Sequence, residues 1–309
     1  MSSQCSVQTS LSTAGATSFG YGAQTSLIAA TLVWGLAPVF VESALNYLPP
    51  LKVVTYRFGL ASLILLLTVF LIRGRKGFSL LSNRVCILLG SLDAFVYLAA
   101  VIGQDMTTAG LATLLSTCYL VVVPFYEWKL GGNKPSMKIG VFAAVAMIGA
   151  SLVAFNGDWA NFSSLSVLGI LASIVAALLC GLYIAIGGKF LQESAEEENR
   201  KIHPLDYLAT TTFYTFLPLI LLSLLTDKTP ILPPLEVIPA LLFLAIFATI
   251  IAFGLYNWAI PRIGAVRTSF YLLLQVIIPF AFELLFWGQY YSLWVYAGVA
   301  IIFAVLLFI

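Results

Sequence analysis

Charge is what this chain has least of. Only 9% of its 309 residues are Asp, Glu, Lys or Arg, where a soluble domain carries roughly 25%. That shortage excludes an ordinary soluble globular protein. With a net charge of only +2, it also leaves no basic surface for a nucleic-acid partner. Histidine is scarcer still: the single one, His203, stands directly before Pro204, so no histidine cluster exists for acid–base or metal chemistry. The four cysteines, at positions 5, 86, 118 and 180, lack metal-ligand spacing and three fall in apolar runs. They read as packing thiols and not as a disulfide framework. There is no Gly-Lys-Ser/Thr phosphate loop, so the chain has no means of its own to harness ATP, and no cofactor or metal is expected. The first 25 residues hold no Lys or Arg. A secretory signal needs a basic start and an apolar core, so residues 1–25 read as a disordered cytosolic tail.

Hydrophobicity is what the chain has in excess. Apolar residues make up 61% of it, with a mean hydropathy of +1.02. Runs of about 20 apolar residues cross a bilayer core as helices, and ten such runs are legible: 26–46, 50–72, 84–103, 107–128, 137–156, 165–189, 204–226, 235–259, 264–287 and 291–309. Transmembrane strands would need shorter alternating segments, which are absent. The fold class is therefore an all-α polytopic membrane protein with the lipid bilayer as its partner.

The chain also repeats itself. Residues 109–125 read AGLATLLSTCYLVVVPF, and 155 residues later 264–280 read GAVRTSFYLLLQVIIPF. Thr113/Thr268, Pro124/Pro279 and Phe125/Phe280 fall in register. Trp34-Gly35-Leu36 returns as Cys180-Gly181-Leu182, and Pro50-Leu51 as Pro204-Leu205. The shared order divides the chain into five-helix repeats at 26–160 and 161–309, with a cytosolic loop at 190–203 in the second. Because five is odd, the second repeat enters the membrane from the opposite side, which makes the halves inverted copies. Inverted repeats permit two near-equivalent conformations around a midplane site, the geometry of alternating access.

Basic residues set the expected orientation. With the N-terminus inside, the inner connections hold twelve Lys and Arg, from Arg73 to Arg267, and the outer ones only Lys52 and Lys228. This positive-inside bias places both termini in the cytoplasm, in an integral protein of the cell membrane.

These residues bring the sequence to a resemblance. Trp34-Gly35 in the first helix, Arg57-Phe58 in the second, and small residues followed by proline in helices four and nine resemble the EamA-type members of the drug/metabolite transporter superfamily. So do Gly140 and Gly298 in helices five and ten. The resemblance covers nearly the whole chain from residue 26. It implies ten helices, inverted repeats and a central cavity lined by helices other than five and ten. EamA-type halves often carry a Gly-Glu pair after helices four and nine. This chain has Gly132-Asn133 and Gly288-Gln289 instead, which removes those glutamates from its chemistry.

Candidate site residues follow from the expense of polar groups inside a bilayer, several kcal/mol each unless paired or hydrated. Asp93, Tyr97, Ala100 and Gln104 recur at helical spacing on one face of the third helix, and Asp93 is a candidate ligand or proton-coupling group. Trp34, Ser116, Tyr119, Tyr183, Tyr214, Tyr271 and Gln275 complete an aromatic and amide set suited to a small organic ligand, although each aromatic alone is equally at home in helix packing. Glu42 and Arg57 differ in expected depth by only about 4–5 Å and are expected to pair as a structural bridge or outer gate. Glu283 is a competing partner. Tyr256 and Asn257, with Glu127, lie toward the cytoplasmic end and read as gate residues. Pro124 and Pro279 interrupt repeat-related helices and read as hinges.

The function expected is secondary active transport of a small zwitterionic or cationic metabolite such as an amino acid, with protons as a candidate coupling ion. The chain is not expected to be an enzyme, and a homodimer is compatible with everything above. A channel or facilitator would want a continuous polar pore, which the aromatic, sparsely charged spans do not offer. Sugars or nucleotide-like anions would want more cations than Arg57.

Overall fold

The computed structural model describes residues 4–107, 109–155, 166–196, 202–226, 232–288 and 290–308. The side chains of 4–20, 109–110, 282–283 and 286–287 also lie outside the described set. Every regular element among the described residues is helical. They are α1 (Gln4–Leu45), α2 (Pro50–Arg73), α3 (Arg84–Met106), α4 (Ala109–Ser116), α5 (Tyr119–Lys129), α6 (Met137–Phe155) and α7 (Val167–Glu196). After these come α8 (Pro204–Thr226), α9 (Ile238–Leu242), a π-helical segment (Phe243–Ile251), α10 (Ala252–Ile263), α11 (Ala265–Tyr271), α12 (Leu274–Trp287) and α13 (Leu293–Phe308).

Among the described residues, eight helical stretches are long and apolar enough to cross a membrane, and two shorter apolar helices, Ala265–Ala281 and Leu293–Phe308, accompany them. Large side chains such as Leu63, Phe70, Leu71, Leu224 and Leu225 stand exposed on the outside of the bundle. An apolar exterior of that extent is stable against lipid tails and not against water. The chain is an integral membrane protein.

Local chemistry places the helix ends. Asn83 caps α3, its side-chain oxygen accepting from the amides of Val85 at 2.9 Å and Cys86 at 3.2 Å. Proline opens α2, where its missing N–H is no loss. Gly264 joins α10 to α11 at φ 89°, a left-handed backbone that side chains resist.

Three boundaries differ from those read in the sequence. The 1–25 stretch is helical from Gln4 onward, continuous with the first span in α1, and holds no proline to interrupt it. α7 continues to Glu196, into the stretch 190–203 read as a loop. Its extra turns are held by Lys189–Glu193 at 3.7 Å and by Gln192 Nε2 donating to Glu196 at 3.2 Å, both i,i+4 pairs. The fourth and ninth expected spans are each broken into two helices.

Those two breaks coincide under the 155-residue offset. Ser116 ends α4 as Tyr271 ends α11, and Tyr119 opens α5 as Leu274 opens α12. At both breaks the backbone tightens to i−3 bonds, Cys118 N–H to Leu115 and Leu273 N–H to Phe270. Hydroxyls of Ser116 and Thr117 bond back to Thr113 and Leu114, both at 2.6 Å, and such bonds compete with the helical ladder. Pro124 and Pro279 follow within about two turns, each removing a further amide from its helix.

Packing pairs the two halves. α2 lies against α8, α4 and α5 against α11 and α12, α6 against α13, α1 against α10, and α3 against α7. The α2–α8 pair is antiparallel: the end residue Arg73 meets Asp206, and Thr55 Oγ1 reaches the carbonyl of Leu219 at 3.4 Å. α6 and α13 are antiparallel too, with Lys138 reaching the Phe308 carbonyl at 3.4 Å. They approach so closely that a Cβ on Gly298 would stand 2.5 Å from the Gly149 carbonyl. α13 therefore sits tight on α6, at the flank of the bundle, and the centre is left to the other helices.

Candidate functional site: a central aromatic cavity

A cavity of ≈ 190 Å³ lies at the centre of the bundle, walled by α1, α2, α3, α4, α5, α7, α10 and the α11–α12 break. Its size is below the ~300 Å³ typical of drug-sized ligands. One wall is the face of α3 read from the sequence: Asp93, Tyr97, Ala100 and Gln104 all line it. Trp34, Ser116, Tyr119, Tyr183 and Gln275 line it as well.

Four polar side chains of this lining are tethered. Thr215 Oγ1 donates to Asp93 at 3.2 Å, and the carboxylate is only 5% exposed. Gln104 Nε2 donates to the Pro38 carbonyl at 2.8 Å. Gln275 Nε2 donates to Tyr119 Oη at 3.3 Å, so the mid-membrane amide finds its partner across the two helix breaks. Trp34 Nε1 donates to the Ala248 carbonyl at 2.8 Å and packs edge-on to Phe253 with ring centroids 5.1 Å apart.

Arg57 is in the cavity wall and not at an outer gate. Its Nε donates to Thr249 Oγ1 at 2.9 Å and an Nη to the Ala248 carbonyl at 3.2 Å. The guanidinium lies 4.5 Å from the Tyr97 ring centroid and 5.1 Å from that of Phe58, where cation–π attraction holds it. These bonds use two of its five N–H groups. Both depend on the π-helical segment, whose wide turns also allow Thr249 Oγ1 to donate to Leu244 five residues earlier at 2.8 Å. π-segments concentrate at functional sites, and nothing in the apolar run Phe243–Ile251 announces one.

The expected Glu42–Arg57 bridge does not form. Glu42 is exposed, and among the described residues neither it nor Arg57 makes an ion pair. Arg57 turns inward because the Ala248 carbonyl and the Tyr97 ring offer it partners on the bundle side of α2. The Glu283 side chain lies outside the described residues. Tyr214 is not in the cavity wall: its hydroxyl donates to the Leu81 carbonyl at 2.6 Å. Tyr271 packs against the apolar core beside the α11–α12 break. Tyr256 lines the cavity, and its buried hydroxyl meets no hydrogen-bond partner among the described residues. The same is true of the Asn257 amide on α10 and the Thr268 hydroxyl on α11, neither of which lines the cavity. Cys180, Phe253 and Val41 also line the wall without any sequence signal beyond apolar character.

The lining residues lie toward the Leu45 end of α1, the Pro50 end of α2 and the Met106 end of α3. At the other end the bundle is closed. Tyr207, Ile260 and Phe270 are all buried there, and the Gly188 backbone runs so close to α11 that a Cβ would stand 3.0 Å from Ala265 Cβ. Arg73 Nε and Asp206 Oδ1, 2.7 Å apart, join α2 to α8 at this closed end.

The profile of the EamA-like transporter family matches residues 23–155 and again 167–309. An uncharacterized transporter from Archaeoglobus fulgidus is 29% identical over 255 residues, 79% of this chain and 81% of the relative. The uncharacterized transporter YyaM of Bacillus subtilis is 28% identical over 253 residues, 76% of this chain and 78% of that protein. A solved crystal structure superposes with a TM-score of 0.74 over 92% of this chain and 94% of its own, at 14% identity, a likeness of fold alone.

Proposed function

Because the chain belongs to the EamA-like transporter family, we propose that it is a secondary active transporter for a small zwitterionic or cationic organic metabolite, foremost an amino acid. The carrying observation is that one small aromatic cavity is lined by a buried carboxylate, Asp93, and a buried guanidinium, Arg57. Neither enters an ion pair among the described residues. Buried charges are expensive unless matched, and a ligand bearing an ammonium and a carboxylate matches both through charge-assisted hydrogen bonds. The aromatic rings of Trp34, Tyr97 and Tyr183 enclose its apolar part.

In this reading ten spans form two inverted repeats, 26–160 and 161–309, with both termini cytoplasmic. The antiparallel packing of α2 on α8 and of α6 on α13 supports the inversion, and the twelve-to-two distribution of Lys and Arg supports the orientation. Transport proceeds by alternating access. The present form faces outward, its cytoplasmic side closed by Tyr207, Ile260, Phe270 and the Arg73–Asp206 pair. Tyr256 and Asn257 stand between cavity and closure, and the breaks above Pro124 and Pro279 are the bending points.

Uptake and counterflow of labelled amino acids in proteoliposomes test this, with and without a pH gradient, for wild type and Asp93→Asn. A hydrogen bond to a charged group is worth about 1.5–3 kcal/mol, so the variant should lose roughly 10–150-fold in apparent affinity. Loss of pH-driven accumulation alone, with exchange intact, makes Asp93 the proton-coupling group instead. Saturable exchange that is equal in both proteins refutes the role of Asp93.

A further inference from the structure

A second, larger hollow opens on the bilayer-facing side of α2, with a volume of ≈ 660 Å³. That is within the ~300–1,000 Å³ of ligand pockets. Its long wall is apolar, formed by Leu60 and Leu63 of α2, Phe216 and Ile220 of α8, and Leu241 and Leu242 of α9 and its junction. Its polar end is Lys52, with Thr55 and Tyr56 beside it.

Three features of this groove point to one kind of occupant. First, the charge is at one end only. Lys52 is 7% exposed and sits in the first turn of α2, where the helix end is itself positive. The Pro49 carbonyl already accepts from the amides of Lys52 at 2.9 Å and Val53 at 3.2 Å, so the Lys52 side chain is the donor at this end. Lys52 already has a partner within the protein, but an ammonium has three N–H donors and can serve an additional anion. Second, the length fits. Lys52 to Leu63 spans eleven residues of α2, about 16 Å at 1.5 Å per residue, close to the ~15 Å of one hydrocarbon leaflet, half of the ~30 Å bilayer core. Third, the floor is closed. Gly59 lies in the groove, and the Phe216 ring packs directly on the α2 backbone there, 2.8 Å from where a Cβ would stand, so α2 and α8 meet beneath the groove.

We propose that this groove binds one phospholipid with an anionic headgroup. The phosphate rests at Lys52, and one acyl chain lies along Leu60, Leu63 and Ile220, over the contact of Phe216 with Gly59. The occupant bridges the two antiparallel helices from outside, whereas Arg57, one residue beyond Tyr56, serves the central cavity. The site is thus separate from the transport pathway and does not depend on the identity of the cargo. A free phosphate shares the headgroup chemistry but leaves the apolar wall uncovered.

The test reconstitutes the full chain in phosphatidylcholine nanodiscs containing graded phosphatidylglycerol and counts retained lipids by native mass spectrometry. Wild type should retain one phosphatidylglycerol at least tenfold in preference to phosphatidylcholine. Lys52→Gln should abolish that preference, and Lys52→Arg should keep it and show that the position tolerates change. Leu63→Trp, which crowds the apolar wall from its exposed side, should lose the retained lipid whatever its headgroup. Millimolar glycerol 3-phosphate should not displace the lipid. Equal retention of both lipids by wild type overturns the proposal, as does a preference that survives Lys52→Gln. Displacement by glycerol 3-phosphate overturns it in favour of a soluble anion.

Discussion

Replacing Gly35 with alanine should separate α1 from α12 and disturb the cavity at once. An added Cβ would stand 2.5 Å from Ile278 Cβ, 2.7 Å from its Cδ1 and 2.8 Å from its Cγ2. Carbon atoms in contact prefer about 3.5–4.0 Å, so all three distances lie deep in repulsion. Turning the Ile278 side chain moves Cδ1 and Cγ2 but not Cβ, which is fixed to the backbone. The helices themselves must part by an amount on the order of 1 Å, and overpacking of this kind costs roughly 1–3 kcal/mol. The adjacent residue, Trp34, holds the Ala248 carbonyl at 2.8 Å, and a shift of that size breaks the bond. The expected result is a lower melting temperature in detergent together with slower counterflow. Ile278→Gly, which removes that Cβ as well, should relieve the crowding, so the double variant should be milder than the sum of the singles by at least about 1 kcal/mol. If Gly35→Ala melts and transports as wild type does, or if the two changes simply add, the close-packing argument is wrong.

Other expectations follow from the same geometry. Arg73→Ala strands the Asp206 carboxylate, whose side chain is 4% exposed, but Arg73 itself is 32% exposed. The cost should therefore be about 1–3 kcal/mol in thermal stability, below the 3–5 of a fully buried pair, and Asp206→Asn in the Arg73→Ala background should restore most of it. Arg57→Lys retains the charge but not the planar fork that reaches both Thr249 and Ala248. Counterflow should show about tenfold weaker binding of carboxylate-bearing substrates, while amines without a carboxylate are unchanged. Pro124→Ala and Pro279→Ala each restore a backbone N–H. Melting temperature should hold or rise while turnover falls, and unchanged turnover in both would remove the hinge role.

Much of this architecture is legible in the chain because lipid makes the rules simple. A spanning segment must satisfy its own backbone hydrogen bonds, so apolar length alone locates helices. The period of 3.6 then groups Asp93, Tyr97, Ala100 and Gln104, which do share the cavity wall. The 155-residue offset foretells more than similarity, since both broken helices change course at the same register. Arg57 shows where such reading stops. Its depth is readable, but depth does not say which side of a helix finds a partner, and the Ala248 carbonyl lies 191 residues away in sequence. Tyr214 and Tyr271 fail for the same reason: composition gives aromatic residues at the right level, and rotation about the helix axis decides which of them face inward.

The sequence by itself determined the helical class, the approximate spans and the two-fold repeat, because these depend on local hydrophobicity and on order along the chain. Only the tertiary structure decided that Asp93 and Arg57 line one cavity with no ion pair among the described residues, that Tyr119 and Gln275 meet across the two breaks, and that Gly35, Gly59 and Gly298 mark close helix approaches. Those outcomes depend on rotations and separations of helices at the ångström scale. The hydrogen bonds and contacts that set them join residues more than a hundred positions apart.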